Sequence, residues 1–171
     1  MSLFYRLCSM LGSARSVQTT LKSAQTYYQT FKTTLRSAET AAFNVTLDKA
    51  RRGDPAAQCD LGEDYYEGTG VPQDYGEAFK WFQLAAAQGH ARAQCYVGMM
   101  YFVGRGVPRD QIEGCKWLQL SAAQGNKAAV NGRDIASKKL TPEQLAEAMR
   151  RAAAFVPQKS APLSTETRLN G

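Results

Sequence analysis

The chain has a single histidine, His90, and only four cysteines in 171 residues. It carries no Cys-x-x-Cys and no Cys/His cluster, so nothing in it spells a metal site. Ser-x-x-Lys, Gly-x-Ser-x-Gly and a glycine-rich loop ending in lysine are also missing, which removes the common nucleophile and phosphate-cradle signatures. Titratable groups must converge in a pocket before they catalyse, and one turn histidine has nothing to converge with. No stretch approaches the ~18 consecutive apolar residues of a membrane span. Arg6 interrupts the one apolar run near the N-terminus and no small-residue cleavage site follows, which argues against a secretory signal. These absences predict a non-catalytic protein with no cofactor and no metal.

Acid is scarce in one region only. Residues 1–52 hold eight Lys/Arg against two Asp/Glu, residues 53–155 hold eleven against twelve, and the last sixteen residues carry one surplus cation. The net charge of +6 therefore lies in an N-terminal arm and not on a folded face, which argues against nucleic-acid binding. With 44% apolar residues the chain can bury the core of one domain.

What the sequence does contain is one 36-residue unit written twice. Gly53, Cys59, Gly62 and Tyr65 recur as Gly89, Cys95, Gly98 and Tyr101. GTGVPQD (68–74) recurs as GRGVPRD (104–110), Lys80-Trp81 as Lys116-Trp117, and AAQG (86–89) as AAQG (122–125). A fixed period of this size marks a solenoid, whose units bury their apolar faces only against their neighbours.

Each unit reads as helix, glycine turn, helix. Asp54-Pro55 offers an N-cap carboxylate and a proline at the first helical position. Ala57, Leu61 and Tyr65, and their counterparts Ala93, Val97 and Tyr101, share a helical face. Gly62 and Gly98 sit in mid-helix, which predicts a second helix too close for a side chain. Gly68 and Gly104 are placed to end the first helix in the left-handed conformation. Asp74 with Glu77 and Asp110 with Glu113 form Asp-x-x-Glu capping boxes. The second helix buries Trp81 or Trp117 and Leu84 or Leu120.

The pattern A-x-LG-x-x-Y-x-x-G-x-GV-x-x-D, followed by A-x-K-W and A-A-x-x-G, resembles the Sel1-like repeat, a relative of the tetratricopeptide repeat. The resemblance covers about residues 43 to 155 and implies an all-α α/α solenoid that binds proteins. Gly114 in place of Ala78 and Cys115 in place of Phe79 depart from the pattern. Where disulfide-bearing members of the family would pair Cys59 and Cys95, this chain has Arg51 and Ala87. Cys59, Cys95 and Cys115 therefore read as small buried apolar residues in a reducing compartment.

The expected organisation is a basic amphipathic arm (1–52), a solenoid (53–155) with units 53–88 and 89–124 and a degenerate unit 125–155, and a disordered tail (156–171). In the arm, residues from Leu3 to Val45 alternate four- and three-residue spacings as a heptad seam that needs a partner. It packs on its own repeats or self-associates, lies on an anionic membrane, or serves as a transit peptide. Phe43, Ala50 and Gly53 stand one period before Phe79, Ala86 and Gly89, so the arm ends as the second helix of an incomplete leading unit. At the other end Thr141-Pro142-Glu143-Gln144 starts a capping helix that turns Leu145, Ala148, Met149 and Ala152 inward. Its LTPEQLAEA stretch is similar to the closing helix of many bacterial Sel1-like proteins.

Positions that differ between the two first helices mark the expected site. Asp60, Glu63, Asp64 and Glu67 on one helix are matched by Tyr96, Met99, Met100 and Val103 on the next, with Phe102 opposite Tyr66. In solenoids of this kind the first helices line the concave face. An acidic stretch beside an exposed apolar patch is expected to bind a partner segment, and methionine suits adaptable recognition. The predicted function is a non-catalytic interaction scaffold or adaptor that takes a peptide or helix in that groove, in the cytoplasm of a bacterium. The alternative is a membrane-surface or organelle-targeted adaptor, mitochondrial targeting included, whose arm does the localising.

Overall fold

A computed structural model describes residues 26–30 and 41–158, and the chain divides into two compact units, 1–40 and 41–171. In the first unit residues 26–30 are helical. The expected heptad seam falls mostly outside the described residues, as does the tail beyond residue 158.

The second unit is all-α, with no strand among the described residues. Helix α1 spans 41–51, α2 Pro55–Glu67, α3 Tyr75–Ala87, α4 Ala91–Val103, α5 Gln111–Ala123, α6 Lys127–Ser137 and α7 Pro142–Ala153. Helix α2 packs on α3 and α4 on α5, and α3 also packs on α4, so the hairpins stack in sequence as a solenoid. Leu61, Val97, Ala93, Trp81 and Trp117 are buried as their spacing predicts. Tyr65 and Tyr101 close the edges of those clusters.

The period is visible in the hydrogen bonds. Gly68 and Thr69 N–H both donate to the Asp64 carbonyl, and Asp74 N–H to the Tyr65 carbonyl. One period on, Gly104 and Arg105 donate to Met100 and Asp110 to Tyr101. Gly68 and Gly104 terminate their helices at φ 79° and 77°, a conformation closed to most side chains.

The mid-helix glycines have the predicted cause. A Cβ on Gly62 would stand 2.6 Å from the Phe82 ring, and one on Gly98 3.0 Å from the Gly114 carbonyl. Gly114 answers Gly98, since its own Cβ would meet the Gly98 carbonyl at 2.9 Å. The departure at 114 therefore lets α4 and α5 approach backbone to backbone.

A second layer was not legible as such. Gln58 and Gln94 are buried, and their amides donate to the carbonyls of Ala50 and Ala86 in the preceding unit at 3.1 and 3.2 Å. Their own carbonyls accept from Gln88 and Gln124 at 2.8 Å each. This ladder satisfies the helix ends of one unit with side chains of the next. It stops in the third unit, where Val130 takes the place of Gln94.

Two expectations about helix starts are corrected. Asp74 and Asp110 do accept from the backbone N–H groups two and three residues on, but neither forms a reciprocal box. Glu77 pairs instead with Lys80 and Glu113 with Lys116, each at 2.6 Å, because an ammonium one turn on outbids a neutral N–H for a carboxylate. Among the described residues the one complete box is Thr141 with Gln144.

The ends close unequally. Phe43, Leu47 and Ala50 of α1 pack on Ala57, Leu61 and Trp81, so this helix belongs with the repeats. Helix α7 lies on α5, burying Ala148 and Ala152. Met149 is half exposed, against the expectation that it turns inward, since it sits about 100° round the helix from Ala148. Phe155 then meets Trp117 edge-on at 5.4 Å, and Gln158 N–H donates to the Ala87 carbonyl.

Candidate functional site

The first helices of three successive units meet around an apolar concavity of about 280 Å³. Tyr96, Met99, Met100, Phe102 and Val103 of α4, all expected there, line it. Tyr66 from α2, Leu118 from α5, and Gly132 and Ile135 from α6 complete the wall. Val103 and Ile135 are 62% and 54% exposed, so its rim is open to solvent.

Met100 corrects the sequence reading. It was expected to face outward like Asp64, its counterpart, but it is 1% exposed and belongs to the core. An unbranched apolar chain at that phase folds inward, where a carboxylate stays at the surface. Met100 forms the floor of the concavity, while Met99 and Val103 present the surface.

The acids split into two pairs. Arg92, from the next unit, bridges Asp60 and Glu63 and donates to Cys59 Sγ at 3.4 Å. Half of the expected acidic surface is thus answered within the chain. Asp64 and Glu67 have no cation partner among the described residues. Burial, then the neighbouring Asp60 and Glu67, raises the Asp64 carboxyl above its ordinary range. Burial and the Glu63 and Glu67 charges push the Tyr96 hydroxyl up to about 12. Burial likewise lifts the Cys59 thiol to about 11, so it stays a neutral packed group.

Rings organise the acidic edge. Tyr96 stacks on Phe82 and lies 5.7 Å from Tyr66. The Arg105 guanidinium donates to the Tyr66 hydroxyl at 2.6 Å and covers the Tyr75 ring at 4.9 Å. Across the concavity the Lys139 ammonium stands 5.5 Å over the Phe102 ring.

His90 caps α4, its Nδ1 accepting from Ala93 N–H at 3.3 Å. It is half-buried and has the helix-start role expected of it. Among the described residues no three His, Cys, Asp or Glu side chains converge on a metal-binding arrangement. No described helix is long and apolar enough to cross a membrane. Sequence comparison between the two matching units missed Tyr66, Arg105, Leu118, Gly132 and Ile135. Carrying the period into the third unit would have found two of them, since Gly132 and Ile135 follow Tyr96 and Met99 by 36.

Hairpins stacked at a fixed 36-residue period define a helical repeat architecture. The Sel1 repeat model matches residues 55–90 and 91–126. Two solved structures are similar. One is a protective antigen of uropathogenic Escherichia coli displaying an SLR fold, 28% identical with a TM-score of 0.66, covering 86% of this chain and 34% of its own. Another is a Sel1 repeat protein from Oxalobacter formigenes, 40% identical with a TM-score of 0.53, covering 54% of this chain and 27% of its own. The chain thus spans between about a quarter and a third of the length of these neighbours. No curated protein matches it. Residues 55–126 thus carry two Sel1 repeats, and proteins built from such repeats are generally protein–protein interaction scaffolds, typically non-catalytic.

Proposed function

We propose that this chain is a non-catalytic scaffold that holds a segment of a partner protein in the groove between α2, α4 and α6. One observation carries the reading. Five apolar residues of a single helix, Tyr96, Met99, Met100, Phe102 and Val103, converge on one open concavity and not on scattered surface. An apolar surface with an open rim favours association, because covering it removes it from water at ~25 cal/mol per Å². Asp64 and Glu67, on the same helix as the lining residue Tyr66, add charge that a basic partner residue can meet.

Site-specific photocrosslinking in the cells that produce the protein tests this. A photoreactive residue at Val103 or Ile135 should give a discrete adduct with another polypeptide, and one at exposed Gln83 of α3 should not. Equal labelling at all three positions, or none at 103 and 135, overturns the reading.

A further inference from the structure

The concavity is the place of a missing tyrosine. Between the first two units, Tyr96 of α4 fills the junction, stacked on Phe82 with ring centroids 4.4 Å apart and 6.3 Å separating Tyr66 from Phe82. One period later the three positions are Gly132, Leu118 and Phe102, and all three line the cavity. Helix α6 packs on α5 as α4 packs on α3, but the plug has been reduced to a hydrogen atom. A Cβ at Gly132 would meet only the methyl ends of Leu118, at 3.0 and 3.4 Å. The second junction is therefore a socket shaped by the same fold that accepts a ring at the first.

The polar surroundings differ in a way that selects the ring. Glu63 stands beside the Tyr96 hydroxyl at the first junction, its charge among the causes that raise the tyrosine pKa. Its counterpart at the second is Met99, which accepts poorly, and Val103 replaces Glu67. A hydroxyl brought there would lose its bonds to water and gain none. Charge is laid out across the three units as well. Asp64 and Glu67 lie on the α2 side, Met100 and Val103 in the middle, and Lys138 and Lys139 on the α6 side.

Building on the groove reading, we infer that the socket at Gly132 takes a phenylalanine side chain from the partner segment. That segment carries Lys or Arg toward α2 and Asp or Glu toward Lys138 and Lys139. The partner's ring then lies against Leu118 and Phe102, where the first junction holds Phe82 and Tyr66.

The test is selection of a phage-displayed random peptide library on the full chain. Enriched peptides should share a phenylalanine flanked by opposite charges. They should bind Gly132→Tyr about tenfold more weakly or worse, because that variant plugs its own socket. Met99→Glu, at a partly exposed position, should shift the enrichment from phenylalanine toward tyrosine by restoring the acceptor found at Glu63. Peptides that need Val103 and Ile135 but lack an aromatic residue, or that ignore both variants, overturn the socket while leaving the groove reading intact. Failure to select any peptide that depends on Val103 and Ile135, as when residues 1–40 or a second copy fill the groove, overturns both.

Discussion

Phe82 and Tyr96 lie face to face, centroids 4.4 Å apart and planes 5° from parallel, although they belong to different units. The pair joins the first hairpin to the second, alongside the edge-on contact of Phe79 with Tyr101. Tyr96→Ala should therefore lower stability by about 2–3 kcal/mol, less than a fully buried ring because Tyr96 is half-buried. It should leave helix content unchanged by far-ultraviolet circular dichroism. A loss under about 0.5 kcal/mol in urea melts would mean that the stack contributes only exposed surface.

Glycine-to-alanine changes should differ in sign of effect by position. In an ordinary helix interior the change is worth up to about 1 kcal/mol of stabilisation. At Gly98 and Gly114 the new methyl meets backbone at 3.0 and 2.9 Å, so each variant should lose about 1–3 kcal/mol. Gly132→Ala meets only mobile Leu118 methyls and should stay within about 1 kcal/mol of the parent or exceed it. Thermal melts of the three variants side by side decide the matter.

The glutamine ladder is open to a double-mutant cycle. Gln94→Leu removes the bond to the Ala86 carbonyl, which keeps the Gly89 N–H as a donor, and the bond from the exposed Gln124 amide, and should cost about 0.5–1.5 kcal/mol. Adding Gln124→Leu removes the other partner of a bond already lost, so the double variant should be less destabilised than the sum of the singles by about 0.5 kcal/mol or more. Strict additivity would show that the two amides act independently.

Stability should also depend on pH through His90. Its Nδ1 accepts the cap hydrogen bond, so only the neutral ring can perform it. Burial first, then Arg92, lowers its pKa below the ordinary 6.5. A lowered folded-state pKa means that the unfolded chain binds the proton more tightly, so the contribution is present above pH 6.5 and is lost as pH falls below it. Glu63 and Asp64 act in the opposite sense at lower pH, because their raised carboxyl pKa values make protonation favour the folded state. His90→Asn, which copies Asn126, should flatten the profile of melting temperature between about pH 7.5 and 5.5. An unchanged slope would assign it to other groups.

The sequence by itself determined the hairpin, its period and its caps. Asp54, Gly68, Trp81 and Gly62 act within one unit or between immediate neighbours, and a duplicated unit states each such constraint twice. It also located the five apolar residues of α4 that line the concavity. What needed the tertiary structure were relations settled by competition among neighbours. Glu77 and Glu113 chose lysines over the backbone, Arg92 crossed to the acids of the preceding helix, and Met100 turned into the core. The socket itself was invisible because it is made by what α6 leaves out. Residue differences record what each helix presents, but only packing shows that Gly132 lies where another unit places a ring.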